Sequence, residues 1–385
     1  MTMAAPTIGD RLLLDRQVFP VFLTAIRTAG YRIVGPTIRD GAIVYGDIRS
    51  ESDLPIGWTE RQEAGHYRLE RRNDDALFGY VVGPHSWKKY LFPSHERLWT
   101  ATRDGTTFTV APEPPDPTPF AFLGMRACEL AALKVTDKVF MGGIPDPSYS
   151  ARRQRILRVA VQCGQSGGTC FCASMGTGPG VTSDYDLSLT EILSGDRHEF
   201  LVVVGTEAGA SVLRSVPHRP ATPAAEEAAV AIVAATTWSM GRTMDPTGLR
   251  DLLISNPDHP RWDQVAKRCL SCTNCTMACP TCFCHTTEEV PSLDAETTER
   301  WRRWDSCFNL EFSKLHTTSV RTSGSSRYRQ WLTHKLGSWN DQFGMSGCVG
   351  CGRCITWCPV GIDITEEIAA LRAPRPAPLA PGGGR

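Results

Sequence analysis

Two cysteine-rich stretches with the same spacing dominate the sequence: CLSCTNCTMACP at residues 269–280 and CVGCGRCITWCP at residues 348–359. We call them the first run and the second run. Each follows the pattern C-x2-C-x2-C-x3-C-P, in which three thiols at intervals of three residues precede a fourth thiol that is followed by proline. Two copies of so specific a pattern indicate that both stretches perform the same chemistry.

This spacing is the bacterial ferredoxin pattern. Three evenly spaced thiolates let a tight loop wrap one cubane, while the fourth is carried away as the chain enters a helix, for whose first turn proline is suited. In two-cluster ferredoxins the fourth cysteine therefore binds the other cluster. We predict two [4Fe-4S] clusters with crossed ligands, which are Cys269, Cys272, Cys275 and Cys358 for the first and Cys348, Cys351, Cys354 and Cys279 for the second. Structural zinc is the alternative, but zinc sites usually take two thiol pairs and do not explain the third cysteine at the same interval.

Four more cysteines lie outside the runs, in the segments MRACEL, AVQCG and TCFCASMGTG: Cys128, Cys163, Cys170 and Cys172. Four thiolates are what one cubane requires, and the surrounding glycines permit a backbone that bends closely around a bulky group. We predict a third [4Fe-4S] cluster at these residues. Four ordinary buried or surface thiols are the alternative.

The remaining cysteines, Cys282, Cys284 and Cys307, are unassigned. They either line the first ferredoxin cluster, or are free, or form a three-thiolate site with a fourth ligand such as His285 or Asp305. Lys88 and Lys89 are expected to be a solvated or interface pair. The histidines form no Ser/His/Asp or HExxH pattern, so we predict no catalytic residue.

Composition narrows the class of protein further. Lys plus Arg and Asp plus Glu are both 41, so no charge excess points to nucleic acid or to an anionic membrane. The odd number of cysteines, 15, and their crowding into residues 269–358 are unlike a disulfide framework. Charged residues interrupt the start of the chain, so we infer no secretion signal, and no apolar run approaches the roughly 18 residues of a membrane helix. We expect a cytoplasmic protein.

The chain divides by its periodicity. The segments FPVFLTAIRTAG, YRIVG, AIVYGDI, RILRVAVQC and EFLVVVG predict a helix and four strands, hence an α/β or α+β domain over residues 1–215. Proline-rich and then alanine-rich sequence predicts a linker and a helix at 216–245. Residues 246–370 are predicted to form a mainly α-helical dicluster ferredoxin domain, including the insertion RWRRWDSCFNLEFSKL between the runs, and 371–385 a flexible tail.

An ordered set of motifs resembles a known family. GMRACELAAL, TCFCASMGTGP, CTNCTMACPTCFC, RRWDSC and CVGCGRCITWCPVGIDI, in this order, are similar to the β subunit of cytoplasmic [NiFe] sulfhydrogenases, with the electron-input subunit of anaerobic sulfite reductases as a close relative. The resemblance extends from about residue 80 to 368. It implies a non-catalytic iron–sulfur electron-transfer subunit. Its partners would be a flavin-containing, NAD(P)-binding γ subunit on one side and, on the other, the small subunit of the hydrogenase, whose large subunit holds the [NiFe] centre.

Two other functions are compatible with the same letters. The chain could be the electron-input subunit of an anaerobic sulfite reductase, which gene neighbours would distinguish from a hydrogenase subunit. Arg and Trp interleaved at 300–304 and 327–331 are also compatible with an iron–sulfur regulator or nucleic-acid-binding module. The neutral net charge argues against that third function, so we expect no nucleic-acid partner.

Overall fold

The computed structural model describes residues 5–116, 118–195 and 197–374. Its strands are β1 (Arg11–Asp15), β2 (Arg32–Arg39), β3 (Ala42–Asp47), β4 (Trp58–Glu63), β5 (His66–Arg71), β6 (His95–Asp104), β7 (Thr107–Pro112), β8 (Phe120–Met125), β9 (Leu157–Val161), β10 (Leu187–Ser194), β11 (Arg197–Val204), β12 (Arg219–Pro220), β13 (His285–Pro291), β14 (Thr297–Trp304), β15 (Lys314–Leu315) and β16 (Thr318–Ser319).

The α-helices are α1 (Phe19–Thr28), α2 (Lys88–Leu91), α3 (Ala127–Phe140), α4 (Pro147–Arg153), α5 (Glu207–Leu213), α6 (Pro223–Trp238), α7 (Leu249–Ile254), α8 (Arg261–Ala266), α9 (Asn274–Met277), α10 (Gly324–Thr333), α11 (Trp339–Phe343), α12 (Arg353–Thr356) and α13 (Ile364–Arg372). A π-helical segment, His334–Ser338, joins α10 to α11. None of these helices is both long and apolar enough to cross a membrane.

The amino-terminal half is built on an eight-stranded mixed sheet with the order β12-β1-β11-β10-β9-β8-β2-β3. Its central strands β8 and β9 run parallel and are almost wholly buried, which explains their continuous apolar sequences. Helix α1 begins with a proline in its first turn, packs Phe19, Phe22 and Ile26 against the sheet, and ends before Gly30. The predicted mixed α/β architecture is confirmed here.

The predicted linker and helix lie against the same sheet. Arg219 and Pro220 pair with β1, and α6 follows, its amino terminus capped by Thr222 and its Ala225 and Ala229 packed on Leu13 and Leu201. Most of the tail predicted to be flexible, 371–385, lies outside the described residues. Its first two residues end α13.

The mainly helical character predicted for residues 246–370 is not confirmed. Helices α7, α8 and α10 lie in this region, but RWRRW, which was expected in a helical insertion, belongs to strand β14. Strands β13 and β14 pair with β6 and β7 from the first half of the chain in a sheet of order β13-β14-β6-β7. In this strand Arg300, Arg302 and Trp304 lie on one face and Trp301 and Arg303 on the other, so each face carries both residue types and the sequence shows no simple strand pattern.

A separate apolar core supports the carboxyl-terminal cysteines. Trp262, Tyr328, Trp331 and Leu332 are buried together with residues of α7, α12 and α13. Cysteines of both runs pack against this core, so its helices fix where the cysteine loops lie.

Candidate iron–sulfur centres

The two runs have the same backbone conformation. Ser271 and Thr273 of the first run have φ of 52° and 69°, and Gly350 and Gly352 at the equivalent positions of the second run have φ of 63° and 74°. Each pair of left-handed residues turns the loop back on itself before a short helix, α9 or α12. The turns direct N–H groups at sulfur: Ser271 N donates to Cys269 Sγ at 3.4 Å and Gly350 N to Cys348 Sγ at 3.5 Å.

The cysteines assigned to the first cluster line one cavity. This cavity lies between the first run, the end of the second run and the rings of Phe308, Tyr328 and Trp331. The thiols on its wall are those of Cys269, Cys272, Cys275 and Cys358, the crossed set, together with Cys354. Cys358 Sγ accepts a hydrogen bond from Ile362 N at 3.3 Å. The structure thus brings Cys358 of the second run to the loop of the first.

The cysteines assigned to the second cluster are also neighbours. Burial raises the pKa of Cys354 well above its usual value, and the charges of Cys348, Cys351 and Cys279 add to that shift, so all four thiols share one environment. Lys335 Nζ donates to Cys279 Sγ at 3.2 Å and to Gly347 O at 3.3 Å. Burial raises the pKa of Cys348 to about 12, although Lys335 opposes the shift.

The four cysteines assigned to the third cluster come together from three parts of the chain. Cys128 lies in the first turn of α3, Cys163 follows β9, and Cys170 and Cys172 lie in the loop after it. All four are buried. Burial raises the pKa of Cys172, with contributions from Cys170 and Cys163, and raises that of Cys128, with Cys172 the next contributor. The set is therefore mutually close.

The loop with Cys170 and Cys172 packs on the second run. Phe171 N donates to Gly350 O at 2.9 Å, Thr177 Oγ1 donates to Val349 O at 2.7 Å, and the hydroxyls of Thr169 and Thr356 share a hydrogen bond of 2.7 Å. The backbones approach so closely that a Cβ at position 352 would lie 2.3 Å from Thr169 O. The glycines of the second run are thus required both by their positive φ and by this contact.

A buried ion pair joins the same two regions. Arg353 of the second run donates to Glu129 Oε1 at 2.5 Å, and both side chains are almost fully buried. Glu129 also accepts from Tyr45 Oη at 2.7 Å and from Trp87 Nε1 at 2.9 Å. This network could not be predicted from the sequence, because no motif or spacing connects Glu129, which follows Cys128, with Arg353, which precedes Cys354.

The donors around the thiols fit an anionic cluster. Arg126 Nε and Arg353 Nη1 are buried without a hydrogen-bond partner, and the two guanidinium groups lie beside Cys163 and Cys351. Buried donors are normally satisfied, so these two suit cluster or cysteine sulfur as acceptors. No three His, Cys, Asp or Glu side chains in the described ranges are close enough to bind one metal ion. In a cubane each cysteine binds a different iron, so its four thiolates stand further apart.

The unassigned cysteines form a further group. Cys284 and Cys307 interact directly, and Cys282 interacts with Cys279. Lys88, which was expected to be solvated or at an interface with Lys89, is instead buried beside them, 6% exposed, with Nζ donating to Cys282 O at 2.9 Å. Lys89 is half-buried and donates to Tyr45 O. The apolar residues that flank the two lysines, Trp87, Tyr90 and Leu91, indicate in the sequence that the segment is not a surface loop.

The interleaved Arg and Trp side chains are engaged within the protein. Arg302 is 4% exposed and forms ion pairs with Glu96 and Asp146. Arg300 lies over the Trp99 ring at 4.9 Å, and Trp301 stacks on His95. The Arg and Trp side chains of this segment are therefore accounted for by contacts within the sheet that pairs β14 with β6.

Comparison with known proteins gives two matches. Residues 268–362 match the 4Fe-4S dicluster domain. The chain is also 25% identical over 369 residues to sulfhydrogenase 2 subunit beta of Pyrococcus furiosus, an alignment that covers 93% of this chain and 97% of the relative. No solved structure matches the chain. The chain is thus similar over nearly its whole length to a sulfhydrogenase β subunit, and its residues 268–362 match a 4Fe-4S dicluster domain.

Proposed function

We propose that this chain is the iron–sulfur electron-transfer subunit of a cytoplasmic [NiFe] hydrogenase complex, with no catalytic residue of its own. It relays electrons between two partners, a flavin-containing, NAD(P)-binding subunit on one side and, on the other, the small subunit that serves the [NiFe] large subunit. The crossed sets of the two runs bind two [4Fe-4S] clusters, and Cys128, Cys163, Cys170 and Cys172 bind a third.

The observation that carries the proposal is the contiguity of the three cysteine sets. Cys275 of the first set contributes to the pKa of Cys354 in the second. Cys351 of the second set contributes to the pKa of Cys128, Cys170 and Cys172 in the third. The sets therefore form a series in which each has the next as its neighbour, as electron transfer between clusters requires.

The clusters supply one-electron chemistry, and the chain sets the conditions for it. Backbone N–H groups at Ser271, Gly350 and Ile362 donate to cysteine sulfur, and such bonds stabilise the more negative, reduced form. Arg126 and Arg353 add fixed positive charge beside the third and second sets. Cys272, the most exposed ligand, lines the same cavity as Leu270, which is 64% exposed, so electrons enter or leave the protein at the first cluster.

The partners are proposed from the relative, whose name makes it one subunit of a sulfhydrogenase. None of the fifteen cysteines forms a disulfide, which fits the reducing cytoplasm proposed for this chain. We propose no nucleic-acid partner, since Arg300 and Arg302 pair with acidic side chains of the same sheet system. We likewise propose no membrane partner.

The test is an anaerobic purification of the tagged chain with its natural partners. We expect the complex to contain nickel, and both H2 and NAD(P)H to bleach the cluster absorbance. A complex that contains sirohaem without nickel, and whose reduced clusters are reoxidised by sulfite, would instead identify the electron-input subunit of a sulfite reductase.

A further inference from the structure

A fourth group of thiols lies at the base of the hairpin formed by β13 and β14. Antiparallel pairing places His285 opposite Trp304, and Asp305 N donates to Cys284 O at 2.9 Å. The chain therefore enters the hairpin through Cys282 and Cys284 and leaves it through Cys307. We call these three residues the hairpin thiols.

The hairpin thiols are close to one another. The thiols of Cys284 and Cys307 share a hydrogen bond with each other. Cys284 also interacts electrostatically with Cys282, so all three thiols lie near one another. Cys307 is distant in sequence from the other two and meets them here only because the hairpin closes.

Two buried ammonium groups lie beside the hairpin thiols. Lys88 is 6% exposed and Lys335 is 5% exposed. Lys88 Nζ donates to Cys282 O at 2.9 Å and lies 3.9 Å above the Trp304 ring, and Lys335 Nζ donates to Thr281 Oγ1 at 3.0 Å and to Cys279 Sγ at 3.2 Å. In the described part of the chain neither lysine forms an ion pair with a carboxylate.

Buried lysines require a compensating anion, since transfer of an ammonium group out of water is costly unless it is paired. For Lys335, the ligand Cys279 is one such anion. Among the described residues, Lys88 has no carboxylate beside it. Apart from Cys282 O and the Trp304 ring, the neighbours that favour its charged form are thiols, with Cys282 the first of them. An anionic group held by the hairpin thiols would satisfy this requirement.

We propose that Cys282, Cys284 and Cys307 bind an additional iron–sulfur cluster, with Lys88 as the buried cation that balances its charge. This site goes beyond the three clusters of the proposed function and uses none of their ligands. A cluster with three cysteine ligands contains three irons, or four when a residue other than cysteine binds the last one. The iron count distinguishes these forms.

The first test compares the anaerobically purified full-length protein with its Cys284→Ser/Cys307→Ser variant. We expect the variant to lose about three to four irons and to lack one EPR-active centre, while the signals of the other clusters persist. A Cys170→Ser/Cys172→Ser variant is the matched control, because it should lose a different centre and retain this one. An unchanged iron content in the hairpin variant would overturn the proposal.

Lys88→Met provides a second test that leaves every thiol in place. Removal of the buried cation should lower the reduction potential of one centre, the same one that Cys284→Ser/Cys307→Ser abolishes, and should leave the other centres within error of the parent. If all centres in Lys88→Met titrate as in the parent, Lys88 does not face a cluster and the proposal fails. Failure here leaves the irons of the three other clusters unaffected, so it is distinguishable from failure of the proposed function.

Discussion

At the scale of single residues, the two runs differ in what occupies their left-handed positions. Ser271 and Thr273 tolerate positive φ in the first run, where Cys272 is exposed. In the second run the same positions are Gly350 and Gly352, because the loop of the third set lies directly against them. The choice of glycine therefore reports packing between two cluster sites, in addition to backbone conformation.

Gly352→Ala should destabilise the protein by more than about 1 kcal/mol, since it combines an unfavourable φ with a clash against Thr169 O. The measurement is the midpoint of anaerobic thermal bleaching of the clusters. Gly344→Ala is the matched control, because Gly344 has φ of 70° but no atom within 4 Å of the added Cβ. Equal effects of the two substitutions would contradict the close contact at position 352.

Glu60 gives a prediction on pH. Burial raises its pKa from 4.5 to about 7, although Val81 N donates to Oε1 at 2.7 Å, and Oε2 is buried without a partner. The folded state holds this proton more tightly than the unfolded state. Protonated Glu60 therefore contributes its full share to the free energy of unfolding below pH 4.5, and this contribution is lost as pH rises through about 7.

Glu60→Gln should remove this pH-dependent loss of stability, which amounts to about 3 kcal/mol between low pH, where Glu60 is protonated in both states, and high pH, where it is ionised in both. Thermal midpoints of parent and variant should therefore diverge from pH 5 to pH 8, with the variant the more stable at the higher pH. Parallel curves for the two proteins would show that Glu60 is ionised in the folded state throughout.

At the scale of secondary-structure elements, the prediction that differs most from the structure is the one for the segment that forms β14. RWRRW was assigned to a helical insertion, whereas the segment pairs with β6, some 200 residues earlier in the chain. The amino-terminal elements could be predicted, because strands such as β9 and the helix α1 show their periods locally. Pairing between distant strands leaves no such local pattern.

Arg302 holds this sheet to the rest of the molecule. It is buried between Glu96, at 2.5 Å, and Asp146. Arg302→Met should cost about 3 kcal/mol, since it leaves the buried Glu96 and the half-buried Asp146 with fewer partners. Arg303→Met, at the next position, should cost less than about 1 kcal/mol. The Arg303 side chain is exposed, and its ion pair with Glu288 is long, at 3.6 Å. Urea unfolding of the apoprotein measures both, and a reversed order of the two would contradict this role of Arg302.

At the scale of the whole molecule, the sequence predicts the cysteine sets better than their surroundings. The spacing of each run follows from local loop geometry, so the approach of Cys358 to the first run could be predicted from the sequence alone. The third set depends on the neighbouring parallel strands β8 and β9, which end close to Cys128 and Cys163, and in the sequence only the number of these cysteines and the surrounding glycines suggested it. The buried cations Lys88, Lys335 and Arg353 come from distant segments, so no local signal identified them.

The central claim is that the third set extends the two-cluster domain into a longer series of redox centres. The most direct measurement is iron and sulfide content with redox-titrated EPR, on the parent and on Cys170→Ala/Cys172→Ala, with Ser174→Ala as a control in the same loop. We predict that the double variant loses about four irons and four sulfides per chain and one EPR signal, whereas Ser174→Ala loses none. A double variant with the full iron content and every signal of the parent would contradict the claim.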